Sequence, residues 1–250
     1  MVRSPAFSLV ELSIVLVILG LLAGGVLSGQ SLIRAAELRS VSTEYERYTS
    51  AVLTFKEKYF ALPGDIPNAT AFWGKDNTHC SGDSGTTKIP GTCNGNGDGI
   101  MGTTNAADTN AEVFRSWQHL TLAGLIEGSY TGQSGPTSPS EFGVPGVNVP
   151  KSRFPNTGWT FWWGGNYPGD DHSYAFDYGN MLRFGTGPVL TPSELWNIDK
   201  KMDDGKPATG KIMAGYWKTC TTSTSVTDYA GEYKVSDDSP QCMFTVVNAF

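Results

Sequence analysis

The chain has 250 residues, of which 17% are charged, and its formal net charge is −6 at pH 7. This acidity argues against nucleic acid as a general partner, because binding to a phosphate backbone depends on clustered Lys and Arg. Roughly 190 residues follow the N-terminal segment, which is enough for one large domain or two small ones.

An almost uninterrupted apolar run opens the chain, from residue 7 to residue 29, and it contains one acid, Glu11. The run is long enough to cross a bilayer core, which takes about 20 helical residues. A secretory signal peptide has a shorter apolar region, followed by an Ala-x-Ala-like cleavage site. The sequence around Ser28 is only a fair site of this kind. Neither a signal peptide nor a plain signal anchor requires an acid at the membrane entry.

Glu11 needs a physical explanation, because an ionised carboxylate at the edge of hydrocarbon is costly unless it is paired or protonated. On the C-terminal side the first basic residue is Arg34, about six helical turns away. A cation on another molecule would serve instead. Cleavage between Ala6 and Phe7 would give every copy a new α-amino group at the depth of a neighbour's Glu11, and the glutamate would then set an assembly register.

The N-terminal sequence MVRSPA-FSLVELSIVLVILGLL resembles that of type IV prepilins and type II secretion pseudopilins. The resemblance implies that residues 1–6 are a leader, which a prepilin peptidase removes between Ala6 and Phe7 before the new N-terminus is methylated. It also implies that Glu11 is required for filament assembly. The chain departs from the family at Ala6, where Gly is usual, and at Ser28, where a helix-bending proline is common.

The resemblance also implies partners and a location. The partners are the prepilin peptidase, other pilin or pseudopilin subunits and the inner-membrane assembly platform. The implied location is the inner membrane, in a single pass with the head in the periplasm, and then a filament or the cell surface after assembly. Charge alone does not fix this orientation, because Arg3 lies on one side of the run and Arg34 and Arg39 lie on the other.

Beyond residue 29 the sequence becomes polar, with no proline before Pro63. A helix is predicted from about Ser8 to about Phe60, with an apolar stripe on one face and charged residues, Glu44 among them, on the other faces. Its apolar stripe has alternating spacings of three and four residues, which is a helical period: Leu38, Val41, Tyr45, Tyr48, Val52, Phe55 and Tyr59. A self-contained coiled coil is the alternative, but the stripe covers only about three heptads and contains bulky tyrosines.

The predicted organisation has four parts: a leader at 1–6, a transmembrane and assembly helix at 7–29, the outer half of that helix at 30–62, and a globular periplasmic or extracellular head at 63–250. Strands gathered after a long helix predict an α+β fold. The resemblance implies a pilin-like version, in which an antiparallel sheet covers the outer half of the helix and the membrane half is bare.

Within the head, two helices are predicted, one at 110–127 and one that starts at the capping box of Thr191 and Glu194. The predicted strands lie at 159–163, 181–184, 211–219 and 242–247, between turns rich in Gly, Asn, Pro and Asp. Residues 136–155 are predicted to form a surface loop.

All four cysteines follow the apolar run: Cys80, Cys93, Cys220 and Cys242. Four cysteines allow three disulfide pairings, of which the pairing of sequence neighbours is the most economical. An even set beyond the membrane segment fits an oxidising periplasm. Reduced thiols or a zinc site are the alternatives, although the chain has no Cys-x-x-Cys pair and only three His.

The loop Cys-Asn-Gly-Asn-Gly-Asp-Gly-Ile at 93–100 resembles the front half of a calcium-binding loop. We predict a weak Ca²⁺ site formed by Asn94, Asn96 and Asp98. The usual glutamate at the twelfth position is absent, and Asp108 or Glu112 could replace it only with a different loop geometry. A turn rich in Gly and Asn without any ion is the alternative.

A second acidic group, formed by Asp199, Asp203 and Asp204, lies around the end of a predicted helix, where acids oppose the helix dipole. It is expected to pair with neighbouring lysines, Lys200, Lys201 and Lys206, and a bound cation is the alternative.

The strand Trp-Thr-Phe-Trp-Trp at 159–163 is the main aromatic segment. Alternation predicts that Trp159, Phe161 and Trp163 are buried and that Thr160 and Trp162 are exposed. An exposed aromatic face supports the alternative function, a membrane-tethered periplasmic binding module with an aromatic recognition face. No nucleophile–base–orienter set or metalloprotease motif is present, so the chain is not predicted to be an enzyme.

Overall fold

The computed structural model describes residues 8–76, 80, 91–102, 112–135, 143–185 and 187–250. Its helices are α1 Leu9–Tyr59, α2 Ala69–Trp73, α3 Glu112–Leu122, α4 Pro192–Met202 and α5 Trp217–Cys220. Its strands are β1 Trp159–Trp163, β2 Asn166–Tyr167, β3 Phe176–Asp177, β4 Asn180–Phe184, β5 Ile212–Gly215 and β6 Met243–Val246. A long helix followed by antiparallel strands confirms the predicted α+β fold.

Helix α1 is continuous over 51 residues and is therefore about 75 Å long. Ser8 caps its start, and Phe60 ends it in a left-handed conformation (φ 56°) that turns the chain before Pro63. The predicted stripe is confirmed on the outer half, where four of its seven residues are buried in the core and three are partly buried. The buried residues are Val41, Tyr48, Val52 and Phe55, and the partly buried ones are Leu38, Tyr45 and Tyr59. The large apolar side chains of the first half of the helix, from Leu9 to Ile33, are all more than half exposed.

The prediction that Glu44 lies on a different face of α1 from the apolar stripe is wrong, because the residue is only 6% exposed. Its spacing explains the burial: Glu44 follows Val41 by three residues and precedes Tyr48 by four, which places all three on the same side of α1. The spacing was readable in the sequence, but the residue type argued against a core position.

The main sheet has four antiparallel strands in the order β1-β4-β6-β5, and β2 and β3 form a separate two-stranded sheet. Side chains alternate between the two faces of a strand. The inner face packs against α1 and α3 through Trp159, Phe161, Leu182, Phe184, Ile212, Ala214, Phe244 and Val246. The outer face carries Thr160, Trp162, Met181, Arg183, Met213, Met243 and Thr245.

Helix α3 lies between α1 and the sheet. Trp117 stacks on Phe161 of β1 with ring centroids 4.0 Å apart, and its other side meets Tyr48 of α1 at 5.0 Å. Aromatic pairs of this kind add about 0.5–1.5 kcal/mol each beyond the area that they bury. The helix ends at Leu122, five residues before the predicted end, and the predicted start at residue 110 lies outside the described residues.

Four local predictions are wrong. Thr160, which was predicted to be exposed, is only 8% exposed. The strand predicted at 211–219 ends at Gly215, because Tyr216 takes a left-handed conformation and α5 follows. Trp163 is 41% exposed, since its ring lies against Gly165 at the end of β1 rather than entering the core. The described part of the loop at 136–155 is not a surface loop, because Val149 and Phe154 are buried in the core.

Candidate functional site

The first candidate site is the apolar half of α1. The large apolar side chains between Leu9 and Leu27 are all more than half exposed. An 18-residue window of this helix has no buried residue, and the helix is long and apolar enough to cross a membrane. Burying such a surface in water-free surroundings is strongly favourable, at about 25 cal/mol per Å² of apolar area.

Glu11 lies in the first turn of α1 and takes part in a capping box. Its Oε2 accepts a hydrogen bond from the backbone N–H of Ser8 at 2.8 Å, and the Ser8 hydroxyl accepts one from the N–H of Val10 at 3.3 Å. A negative charge at a helix N-terminus also interacts favourably with the helix dipole. The sequence signal for this arrangement, Ser-x-x-Glu, was present and was missed. The predicted cleavage residues Ala6 and Phe7 lie outside the described residues.

The outer half of α1 is fixed to the head by a buried carboxylate. Glu44 Oε2 accepts hydrogen bonds from the Trp159 indole N–H and the Ser152 hydroxyl, both at 2.7 Å, and its Oε1 accepts one from the backbone N–H of Arg153 at 2.8 Å. These bonds join α1 to β1 and to the loop before it. Every donor that meets Glu44 comes from more than 100 residues along the chain, so the contact sets how the helix sits on the head.

A second connection lies nearer the membrane half. The Arg34 guanidinium forms a two-pronged ion pair with Glu194 of α4, with N–O distances of 2.6 and 2.9 Å, and also binds Glu37 at 3.1 Å. The guanidinium carbon lies 4.2 Å above the ring centroid of Phe154. Glu194 also completes the predicted capping box with Thr191, so one carboxylate both starts α4 and holds α1. Between Leu9 and Ile33, on the N-terminal side of Arg34, the large apolar side chains of α1 are exposed.

The second candidate site is an acidic cluster at the end of α1. The carboxylates of Asp65, Asp98 and Glu112 approach one another so closely that their nearest oxygens lie within 4.8 Å. Asp65 is 3% exposed and accepts the backbone N–H groups of residues 97, 98 and 99. Glu112 accepts the N–H of Asn96 at 3.1 Å. The backbone donors thus hold three acids together.

Electrostatics within this cluster favour protonation. Burial, with a smaller contribution from the charges of Asp65 and Asp98, raises the pKa of Glu112 to about 7. The pKa of Asp65 is also raised, mainly by burial, although hydrogen bonds from Gly99 and Gly97 oppose the shift. A hard divalent cation with oxygen ligands, such as Ca²⁺, is the kind of ion that such a group of acids could hold.

The cluster overlaps the predicted calcium ligands. Asp98 is one of its three acids, and the Asn96 side-chain amide donates a hydrogen bond to Asp98 Oδ2 at 2.8 Å. The side-chain oxygen of Asn94 accepts a hydrogen bond from the backbone N–H of Thr70 at 2.8 Å, and that of Asn96 accepts the N–H of Asp98 at 2.9 Å. Asp65 was missed because it lies 33 residues before Asp98, and no sequence spacing connects the two. Calcium binding stays a prediction.

The other acidic group does not pair with lysines. Among the described residues, none of the three lysines lies within ion-pair distance of these acids. Asp199 accepts the Tyr233 hydroxyl at 2.6 Å, Asp203 accepts the backbone N–H of Ile212 at 3.0 Å, and Asp204 accepts that of Lys206 at 2.8 Å. Burial raises the pKa of Asp199 to about 7. The acids therefore shape the turn between α4 and β5.

Two disulfides join sequence neighbours, Cys80 to Cys93 and Cys220 to Cys242. The second links α5 to the residue that leads into β6, and both of its sulfurs are buried. It therefore ties the C-terminal strand, which lies in the middle of the sheet, to the turn that follows β5.

The two described histidines, His119 and His172, lie in different parts of the head. His119 is fully buried in α3, where its Nδ1 accepts the backbone N–H of Gly64 at 2.9 Å and its Nε2 lies 2.9 Å from the Thr92 hydroxyl. Burial lowers the pKa of His119 to about 3, which keeps the ring neutral. His172 is exposed on the outer side of the head, and His79 lies outside the described residues.

These features define the class of the molecule: an α+β protein with one bare apolar N-terminal helix, an antiparallel sheet packed on its outer half, and disulfides in the head. This architecture is consistent with a pilin-like fold. No protein-family model, curated protein or solved structure matches the chain.

Proposed function

We propose that the protein is a subunit of a type IV pilus or of a type II secretion pseudopilus, assembled through its N-terminal helix after cleavage by a prepilin peptidase. The observation that carries the proposal is the two-part construction of α1. Its outer half is fixed to the head through Glu44 and Arg34, and its first 19 residues, Leu9–Leu27, present a continuous apolar surface with Glu11 at the entrance.

The energetics of Glu11 support contact between subunits. A capping box contributes roughly 0.5–2 kcal/mol. A charged side chain at the centre of a membrane helix costs about 2.5–3.5 kcal/mol or more, and less toward its end. The single N–H of Ser8 therefore offsets only part of the cost, and a cation from a neighbouring chain would offset the rest. Cleavage at Ala6/Phe7 would supply that cation as the new N-terminal amine.

This function assigns a role to each partner. The prepilin peptidase removes residues 1–6, the inner-membrane assembly platform inserts the subunit, and other pilin or pseudopilin subunits contact the apolar half of α1. The head lies in the periplasm before assembly and on a filament or at the cell surface after assembly.

Processing is tested by producing the protein together with an active prepilin peptidase, with an inactive peptidase as the control, and sequencing the N-terminus. The expected product of the active enzyme begins at methylated Phe7. An intact leader, or a cut near Ser28, would contradict the proposal and favour a membrane-tethered binding module.

Assembly is tested with Glu11→Gln. Glutamine is also accepted at this position of a capping box, so the substitution keeps the helix start and removes the charge. We expect incorporation into filaments to fall at least about tenfold, which corresponds to about 1.4 kcal/mol of lost pairing. Glu46→Gln is the matched control, because Glu46 is an exposed acid on the same helix. Equal incorporation of the Glu11→Gln protein and the parent would refute the role of Glu11.

A further inference from the structure

The outer face of the main sheet, opposite α1, carries a cavity of about 260 Å³. Its floor is formed by outward side chains of β4 and β6, and its walls by aromatic residues of the segments on either side. Among these are Trp162, Tyr167, Tyr178 and Tyr216. Helix α1 covers only the inner face of the sheet. Copies of the chain can therefore pack together through the membrane half of α1 while the cavity stays open.

Arg183 supplies the cation of this cavity. It lies on β4 between Thr160 of β1 and Thr245 of β6, and its guanidinium carbon is 5.8 Å from the ring centroid of Trp162. Its Nε is sealed from solvent and has no hydrogen-bond partner. No described Asp or Glu lies within ion-pair distance of it. Arg183 is only partly buried, so its charge is not fully removed from water, but the unbonded Nε and the lack of a described acid leave the guanidinium available to a ligand in the cavity.

The nearest acid, Asp170, does not fill this role because its oxygens are already bound. Oδ2 accepts the Tyr167 hydroxyl at 2.8 Å, and Oδ1 accepts the backbone N–H groups of His172 and Ser173 at 2.8 and 2.7 Å. Burial lowers the pKa of Arg183, while the neighbouring tyrosines and Asp170 oppose the shift. The guanidinium is still charged at neutral pH, since an arginine side chain does not lose its proton in proteins.

The backbone around the cavity keeps it open. A Cβ on Gly215 would lie 2.6 Å from the Met243 side chain, and one on Gly164 would lie 2.8 Å from Tyr178, so larger residues would displace the lining. Tyr216 holds its ring in the wall with a left-handed backbone (φ 59°), a conformation that costs a non-glycine residue about 1–3 kcal/mol. Its N–H donates to the carbonyl of His172 at 2.7 Å, which fixes that strained turn.

The charges that face the cavity limit the ligand to a monoanion. Arg183 contributes one positive charge and Asp170 one negative charge to the lining of the cavity. A phosphate dianion would meet one cation and a fixed acid, whereas a carboxylate matches the planar fork of a guanidinium. The volume lies just below the roughly 300–1,000 Å³ of sites for drug-sized ligands, which suits a single ring.

We propose that this cavity binds a small carboxylic acid with a ring-shaped body, whose carboxylate pairs with Arg183 and whose ring lies against Trp162 and Tyr178. Sugar acids and aromatic acids share this chemistry. The proposal does not depend on assembly through α1, so either can fail without the other.

The test uses the full chain in a neutral detergent, with glucuronate and benzoate as probes and tryptophan fluorescence and calorimetry as readouts. Glucose and benzamide are the uncharged counterparts, and inorganic phosphate is the competing anion. We expect at least one of the two acids to bind, and its uncharged counterpart to bind at least about tenfold more weakly. If neither acid binds, or if phosphate or the uncharged counterparts bind as tightly, the proposal is wrong. The acid that binds more tightly shows whether the cavity prefers a sugar ring or an aromatic ring.

Two substitutions connect binding to the guanidinium. Arg183→Met should weaken binding at least about 30-fold, the equivalent of one charged hydrogen-bonded pair. It should leave the melting temperature unchanged or higher, because it removes a partly buried charge and the sealed Nε that has no hydrogen-bond partner. Arg183→Lys keeps the charge but loses the fork and should bind at least about tenfold more weakly. Arg39→Met is the surface control.

Wild-type affinity in the Arg183→Met protein would overturn the proposal. The proposal would also be overturned if Arg183→Met were much less stable than the parent while the parent bound neither acid, since Arg183 would then have a structural role. If Arg183→Met fails to fold, two other measurements test the proposal. One is the affinity of the Arg183→Lys protein for the acid, and the other is the difference in affinity of the parent for each acid and its uncharged counterpart.

Discussion

Removing the carboxylate of Glu44 should loosen the head from α1 more than any other single change at their contact. Glu44→Ala deletes three hydrogen bonds to a charged acceptor and leaves the buried indole N–H of Trp159 without a partner. Breaking a buried charged network of this kind costs about 3–5 kcal/mol. For a head of this size each kcal/mol lowers the melting temperature by roughly 2–4 °C, so the expected decrease is roughly 6–20 °C.

Glu44→Gln separates hydrogen bonding from packing, because the two side chains have nearly the same volume. Glutamine has one accepting oxygen. If that oxygen faces Ser152 and Trp159, the amide N–H₂ must face the N–H of Arg153, and two donors then oppose each other. We expect a loss of about 2–3 kcal/mol, between those of the parent and Glu44→Ala.

The assay is thermal unfolding of the full chain in a mild detergent, followed by tryptophan fluorescence, with Glu46→Gln as the control. Glu46 is exposed two residues further along α1, so its substitution should change stability by less than about 0.5 kcal/mol. A Glu44→Ala protein that melts within 2 °C of the control would refute the reasoning, since it would mean that the three donors find other acceptors at no cost.

Further predictions concern the other fixed points of the head. Arg34→Lys should reduce stability by about 1 kcal/mol through loss of the two-pronged pair with Glu194, and high salt should narrow the difference. Cys220→Ser should cost about 3 kcal/mol by chemical denaturation, and an unchanged midpoint would contradict this. Because the pKa of Glu112 is raised to about 7, the unfolded chain binds fewer protons, so the melting temperature should fall as pH rises from about 5 to 7. Glu112→Gln should reduce this dependence of the melting temperature on pH. Part of the dependence should remain, with the same sign, because the pKa of Asp199 is also raised to about 7. At neutral pH, calcium should raise the melting temperature of the parent and not of Glu112→Gln, and no shift in the parent would refute the calcium hypothesis.

The sequence determined the features that depend on neighbouring residues. The 3.6-residue period predicted α1 to within one residue at each end, because helix formation is governed by contacts three and four residues apart. The capping box at Thr191 located the start of α4 for the same reason. The α+β class followed from the order of these elements. A left-handed residue such as Tyr216 carries no comparable signal, so the early end of β5 was not predicted.

Only the tertiary structure decided which distant residues meet. Asp65 joins Asp98 and Glu112 because the end of α1, the loop at 93–100 and the start of α3 converge, and sequence spacing does not encode that convergence. Glu44 and Arg183 are charged groups whose partners also depend on the fold. Glu44 is buried and is satisfied by donors more than 100 residues away. Arg183 is partly buried on the opposite face of the sheet, and no described acid lies within ion-pair distance of it. The free energy of a buried charge is set by the groups around it in space, and these are fixed only when the chain has folded.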